Sequence, residues 1–199
     1  LFRSKNSVYP VLIYLSLLLL VPDVFQNQKL IFANFFILLA MRRMISLQTL
    51  NTPKEKIFDA SLWVFAASLF HFWCILFIIL VYASIIFHVS RDFRNWLLPF
   101  IAFVASVVVF VLLSLIFDKT WIGNLLLQTQ IKFEINYFTN KIQNIVLSLI
   151  SVIGIYFLFT MIFSVTSKPL ILQASFKKMI FTFLIGVTIF LISPNKNNE

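Results

Sequence analysis

The stretch KIFDASLWVFAASLFHFWCILFIILVYASIIFHVS, from Lys56 to Ser90, decides the fold of this chain. After its first residue it contains one acid, Asp59, and no lysine or arginine. A single helix of that length would be roughly 45 to 50 Å long, whereas the hydrocarbon core of a membrane is about 30 Å thick. The stretch is therefore either one steeply tilted span or two short spans hinged near His71.

The composition of the whole chain also indicates a lipid environment. Of its 199 residues 61% are hydrophobic, and the mean hydropathy is +0.98, whereas about half the residues of a soluble protein are apolar. The net charge of +9 is typical of cytoplasmic loops that face anionic lipid, so we expect no nucleic-acid partner. The single cysteine, Cys74, cannot form an intrachain disulfide, and we expect it to pack as a small apolar residue.

Apolar runs between charged residues predict an all-α, polytopic transmembrane bundle of about six to seven spans. We expect one membrane domain, residues 1–199, and because the chain begins at Leu1 rather than Met we expect it to be a piece of a longer protein. Besides the opening stretch, the predicted spans are Val8 to Phe25, Leu30 to Met41, Asn95 to Phe117, Ile145 to Ser164 and Met179 to Ile192.

A mixed region between Trp121 and Asn144 differs from these spans. Its apolar residues recur at helical spacing beside lysine and glutamate, which predicts one amphipathic interfacial helix near Leu125 to Ile142. Because some of the same apolar residues also alternate, a short strand is the minority alternative.

The distribution of positive charge favours the hairpin at His71. With a cytoplasmic N-terminus, a hairpin places eleven basic residues inside and five outside, and a single crossing places ten inside and six outside. The eleven are Arg3, Lys5, Arg42, Arg43, Lys54, Lys56, Arg91, Arg94, Lys168, Lys177 and Lys178.

Groups able to carry chemistry are few. The acids lie at segment ends or in loops, and His71 is the one ionisable side chain expected near the middle of the membrane. The second histidine, His88, is seventeen residues away, so we expect neither a metal site nor a cofactor. Small residues should mark close helix contacts, and we expect these at Ala66, Ala67, Ala102, Ala105 and Ser106.

Two arginine pairs are the candidate binding residues. Arg42 and Arg43, and then Arg91 and Arg94, lie at span boundaries, where their planar guanidinium groups suit lipid phosphate. The alternative is that they follow the positive-inside rule and extend to the membrane surface without a specific ligand.

Three stretches carry a resemblance to a known family. They are ANFFILLAMRRMISLQTL (Ala33 to Leu50), KIFDASLWVFAASLFHFWCILFIILV (Lys56 to Val81) and DFRNWLLPF (Asp92 to Phe100). They resemble an uncharacterised family of polytopic inner-membrane proteins of Bacteroidetes, particularly flavobacteria. The resemblance implies the inner membrane of a didermic bacterium.

A more distant likeness is one of pattern. The chain is similar to polytopic glycosyltransferases and polysaccharide polymerases that use lipid-linked sugars. Those enzymes present an acid, often with arginine or histidine, on an outer loop beside the lipid pyrophosphate. That resemblance implies Asp23 or His71 as acid or base, and Arg42, Arg43, Arg91 and Arg94 as phosphate ligands.

Two hypotheses therefore stand. The first is a non-catalytic integral inner-membrane subunit of a larger cell-envelope assembly for secretion, gliding motility or polysaccharide export, with membrane lipids and other membrane subunits as partners. The second is a transferase or polymerase acting on polyprenyl-phosphate-linked sugars. An enzyme requires its acid and arginines to converge on one lateral cavity, whereas the arginines of a subunit should spread along the headgroup plane.

Overall fold

A computed structural model describes residues 27–49, 51–89, 92–116 and 141–192, and the single positions 12, 16 and 123. Every regular element in these ranges is helical, as the sequence predicts. The α-helices are α1 (Gln28–Ser46), α2 (Pro53–Phe70), α3 (Ile78–His88), α4 (Phe93–Ile116), α5 (Lys141–Thr166) and α6 (Leu170–Ile192). Short 3₁₀ helices at Leu47–Thr49 and Phe72–Phe77 follow α1 and precede α3.

The interior is built on an antiparallel pair, α1 and α2. Buried residues repeat along each helix at intervals of three and four, which is the spacing of a coiled-coil seam. The seam residues are Ala33, Ile37, Ala40, Met44 and Leu47 on the α1 side, and Ile57, Ala60, Val64 and Ala67 on α2. Since four of the nine are alanine, the two backbones approach closely, as in membrane helix pairs.

Aromatic side chains cover one edge of this seam. The ring of Phe36 stacks on Trp63 with centroids 5.6 Å apart, and it also stacks on Phe70 at 5.6 Å. Phe32, near the start of α1, lies 5.4 Å from Phe70 at the end of α2. These contacts show that the start of α1 faces the end of α2.

The long apolar stretch breaks at His71. There the backbone is extended, with φ −141° and ψ 105°, so the helix cannot continue through this residue. The His71 N–H still donates to the Ala67 carbonyl at 3.0 Å, and the His71 carbonyl accepts from the Cys74 N–H to begin the 3₁₀ helix. The position of the break is the one expected from the sequence.

After this break the chain returns toward the start of α2. Helix α3 contacts the 3₁₀ turn between α1 and α2. Near the end of α3, Phe87 packs against Phe181 of α6. One turn earlier on α6, Lys178 binds the carbonyl of Met44, which lies near the end of α1. The stretch therefore forms a hairpin, which agrees with the charge distribution.

Helix α4 runs beside α2 in the same direction. Phe65 of α2 and Phe103 of α4 have ring centroids 5.0 Å apart. The connection from α3 is short, and the side-chain amide of Asn95 donates to the Val89 carbonyl at 3.3 Å. Pro99 lies inside the helix, in its second turn, where proline has no N–H to donate to the Asn95 carbonyl.

Helices α5 and α6 form a second hairpin, which is attached to the rest of the described structure through α6. The ring of Phe183 on α6 lies over Gly154 of α5, where an added Cβ would be 2.9 Å from a ring carbon. Helix α6 begins at Leu170, earlier than the span predicted from Met179, so Lys177 and Lys178 lie inside the helix.

Four of these helices, α1, α4, α5 and α6, are long and apolar enough to cross a membrane. The expected six to seven spans are not confirmed. Helix α2 carries four charged residues near its start, and the returning segment Phe72–His88 is short at 17 residues. The first predicted span and the interfacial helix of Leu125 to Ile142 lie outside the described residues.

Candidate functional site

Basic residues collect at one end of the bundle, which we call the basic end. Helices α1, α3 and α5 finish there, and α2, α4 and α6 begin there. In the described ranges its basic residues are Arg42, Arg43, Lys54, Lys56, Arg94, Lys168, Lys177 and Lys178. The opposite end, which contains His71, has Lys29 and Lys141.

Two lysines at the basic end bind the end of helix α1. The Lys178 ammonium donates to the Met44 carbonyl at 2.5 Å. The Lys56 ammonium donates to the Ser46 carbonyl at 3.0 Å and to the Thr49 hydroxyl at 2.8 Å. The last carbonyls of a helix lack intrahelical partners and carry the negative end of the helix dipole. Both lysines therefore cap the end of α1.

Lys178 is the most unusual of these residues because its side chain is fully buried within an apolar helix. Its neighbours on the same face of α6 are also polar: Ser175 hydrogen-bonds to Gln48, and the Thr182 hydroxyl lies 3.1 Å from the Met41 sulfur. The predicted last span, which begins at Met179, left Lys178 outside the helix. The signal that this prediction missed is the spacing of Ser175, Lys178 and Thr182, a polar stripe at helical intervals.

Arg43 is also engaged by the protein. Its guanidinium group lies 3.1 Å from a carboxylate oxygen of Asp59 on α2. The side chains are 49% and 35% exposed, so the pair is a surface contact that links α1 to α2. Among the residues that the structure describes, this is the ion pair that forms.

Arg42 lines a lateral groove between α1 and α6, which we call the α1/α6 groove. The groove has a volume of about 600 Å³, and it is open along one side. Its wall is mostly apolar. It is lined by Asn34, Ile37, Leu38, Met41, Arg42 and Ile45 of α1, by Phe77, and by Thr182 and Gly186 of α6.

The described members of the predicted site do not converge. Arg42 lines the groove, Arg43 holds Asp59, and Arg94 is exposed at the start of α4. His71 is half-buried at the opposite end, across the 18 residues of α2, or about 27 Å. Asp23 and Arg91, the other predicted residues, lie outside the described ranges.

A few polar atoms in the described part are buried without a hydrogen-bond partner. They are the indole nitrogen of Trp73, Nδ1 of His88 and the side-chain oxygen of Asn95. Within the same ranges, no three histidine, cysteine, aspartate or glutamate side chains are grouped so that they could hold a metal ion. None of these three residues lines the groove that Arg42 lines.

No protein family, curated protein or solved structure matches this chain. The resemblance to bacteroidete inner-membrane proteins therefore stays a prediction. The class that the fold itself indicates is a helical membrane protein, on the evidence of four helices long and apolar enough to span a bilayer.

Proposed function

We propose that this chain is a non-catalytic, multi-pass subunit of a larger assembly in the bacterial inner membrane. The assembly would belong to the cell envelope, of the secretion, gliding-motility or polysaccharide-export kind. Membrane lipids and other integral membrane subunits would be its partners.

The observation that supports this proposal most directly is the separation of the candidate chemical groups. Arg42, Arg43 and Arg94 lie on different faces of the basic end, and His71 lies at the other end. Arginines spread along one plane are what a membrane subunit needs for orientation in anionic lipid. An enzyme needs them within reach of one reacting group.

Helix α5 supports a role in assembly. None of the residues in its spanning window is buried, and its main contact among the described elements is α6. The hydroxyls of Ser148, Ser151 and Thr160 donate to carbonyls three residues earlier in the same helix. The helix therefore presents a continuous apolar surface, which suits contact with lipid or with close-packed partner helices.

The charge distribution supports an orientation. Eight basic residues lie at the basic end and two at the other end, in the ranges that the structure describes. By the positive-inside rule the basic end faces the cytoplasm, and the turn at His71 faces the outer side.

The alternative function is a transferase or polymerase acting on polyprenyl-phosphate-linked sugars. The α1/α6 groove favours it, because a lipid substrate needs a lateral apolar cavity with a cation at its rim. His71 lies at the end of the bundle opposite that rim, so it is not placed to act as acid or base there.

Gentle detergent extraction from the native membrane tests the two functions. The tagged protein is separated by size exclusion, and everything that co-elutes is identified and quantified by mass spectrometry. The subunit proposal expects stoichiometric envelope proteins. A monomer that carries polyprenyl-phosphate lipid, and no protein partner, would instead support the enzyme.

Shape-changing variants of α5 make the test sharper. Tyr156 and Phe163 are 66% and 75% exposed, so leucine at either site preserves an apolar surface but alters its shape. Tyr156→Leu with Phe163→Leu should release partners if α5 packs on protein. Phe93→Leu, at an equally exposed site on α4, is the matched control.

A further inference from the structure

We propose that the α1/α6 groove binds one acyl chain of an anionic phospholipid, with Arg42 holding the lipid phosphate. The inference rests on the proposed membrane location of the chain, and it is independent of the subunit role. It assigns the lipid phosphate as a specific ligand to Arg42, and it gives Arg42 a role different from that of its neighbours at the basic end.

The length of the groove fits one leaflet. From Arg42 to Asn34 the lining of α1 covers nine residues, which are eight steps or about 12 Å along the helix axis. Half of a hydrocarbon core is about 15 Å thick. A lipid whose headgroup lies at the basic end would therefore place its acyl chain along the groove, within the same leaflet.

The shape and chemistry of the wall suit a hydrocarbon chain. Leu38, Met41 and Phe77 supply apolar surface, and the volume of about 600 Å³ is in the range of small-molecule sites. The Thr182 hydroxyl already donates to the Lys178 carbonyl at 2.7 Å. At Gly186 an added Cβ would meet nothing within 4 Å, so the groove is open at this point.

Arg42 differs from several of its basic neighbours because they are engaged by the protein. Arg43 pairs with Asp59, and Lys56 and Lys178 bind carbonyls at the end of α1. Lys177 lies 5.9 Å from the centroid of the Phe87 ring. Arg42 forms no ion pair with any described residue, and its planar fork at the groove rim matches the geometry of phosphate.

The charge of this end explains why the lipid should be anionic. Against the eight basic residues, the described acids at the basic end are Glu55, Asp59 and Asp92. A surplus of positive charge attracts anionic lipid by roughly 1 kcal/mol for each basic residue near the surface.

Lipid retention measured by native mass spectrometry tests the proposal. The full chain is reconstituted in nanodiscs that contain equal amounts of phosphatidylglycerol and phosphatidylcholine, and retained lipid is counted after release. We expect one phosphatidylglycerol per chain. Arg42→Gln should lower its retention about tenfold relative to phosphatidylcholine, because it removes direct hydrogen bonds to the phosphate; that factor corresponds to about 1.4 kcal/mol. Arg94→Gln, which removes a charge outside the groove, should lower it clearly less, because only the general surface-charge attraction is lost.

A second variant tests the groove itself. Gly186→Leu fills the open space without meeting protein at Cβ, and it should reduce retention of both lipids. Val187→Leu, the next residue and 41% exposed, is its control. Equal retention in Arg42→Gln and Arg94→Gln would overturn the proposal, as would full retention in Gly186→Leu.

Other occupants give a different result. If the segment Val8 to Phe25 or a partner helix fills the groove, a photocrosslinker at position 186 will capture peptide rather than lipid, and the proposal fails. Correct folding of each variant is checked by its elution volume and tryptophan emission. A lone monomer that retains phosphatidylglycerol would refute the subunit role and leave the lipid site standing.

Discussion

Ala60→Leu is the substitution that most directly tests the close packing of α1 against α2. Ala60 is fully buried in the seam, and Ala40 of α1, which belongs to the same cluster of buried residues, is fully buried too. Leucine adds three carbons where the backbones have no room to separate without losing contacts along the seam. Overpacking of this kind costs about 1 to 3 kcal/mol.

In a membrane, this packing cost is not compensated by the hydrophobic effect. In water, the hydrophobic effect of burying the added carbons would partly offset this packing cost. In lipid, the unfolded helices are already in an apolar solvent, so that compensation is absent. We therefore expect Ala60→Leu to lower the free energy of unfolding by about 2 kcal/mol, or roughly 30-fold in the equilibrium constant.

Unfolding by increasing amounts of sodium dodecyl sulfate in dodecyl maltoside micelles measures this change. Trp63 reports on the seam because it stacks on Phe36 with an interplanar angle of 16°, and the other tryptophans are replaced by phenylalanine. Ala66→Leu is the control, since Ala66 lies on the same helix but is partly exposed. Its change should be below about 0.5 kcal/mol. Equal effects of the two substitutions would refute the close-packed seam.

The remaining predictions concern orientation, charge and the second hairpin. In a Cys74→Ala background, Lys29→Cys should react with an impermeant maleimide on intact cells. Lys54→Cys should react only after permeabilisation, because α1 and α2 begin at opposite ends of the bundle. Labelling of both residues from outside would contradict the topology. A double-mutant cycle of Arg43→Gln and Asp59→Asn should give a coupling below about 1 kcal/mol in the detergent assay, since both side chains are partly exposed. A coupling above about 2 kcal/mol would mean that the pair is desolvated. Gly154→Ala should weaken the α5–α6 pair by about 1 kcal/mol, because its Cβ would lie 2.9 Å from the Phe183 ring, and Phe183→Leu should reverse the loss. Additive effects of those two substitutions would show that the ring does not limit the approach.

Much of the architecture follows from local properties of the sequence. The long apolar stretch and the clustering of basic residues were expected, and a hairpin at His71 was favoured over a single span, because hydropathy and charge are properties of each segment by itself. Two of the predicted small contact residues, Ala67 and Ala102, are fully buried. The other three, Ala66, Ala105 and Ser106, are only partly buried, because their helix faces turn away from the interior.

The seam residues on α1 show why the sequence alone does not identify every contact residue. Ala33 and Ala40 were not expected at a contact, although both are buried. An alanine in an apolar run has the same local sequence whether it faces lipid or a helix. Only the register of α1 against α2 separates the two cases, and register depends on the shapes of both helices together.

The sequence by itself thus determined the class of this protein, because a chain too apolar for water must place its helices in lipid. It also indicated that one end would be basic, and it favoured a hairpin over a single span for the longest apolar stretch. Tertiary structure decided what each cation does: Lys178 binds a carbonyl 134 residues away, Arg43 binds Asp59, and Arg42 lines the α1/α6 groove. The roles of Lys178 and Arg42 depend on the position of α6 beside α1, and the role of Arg43 depends on the packing of α1 against α2. No local sequence pattern connects these groups.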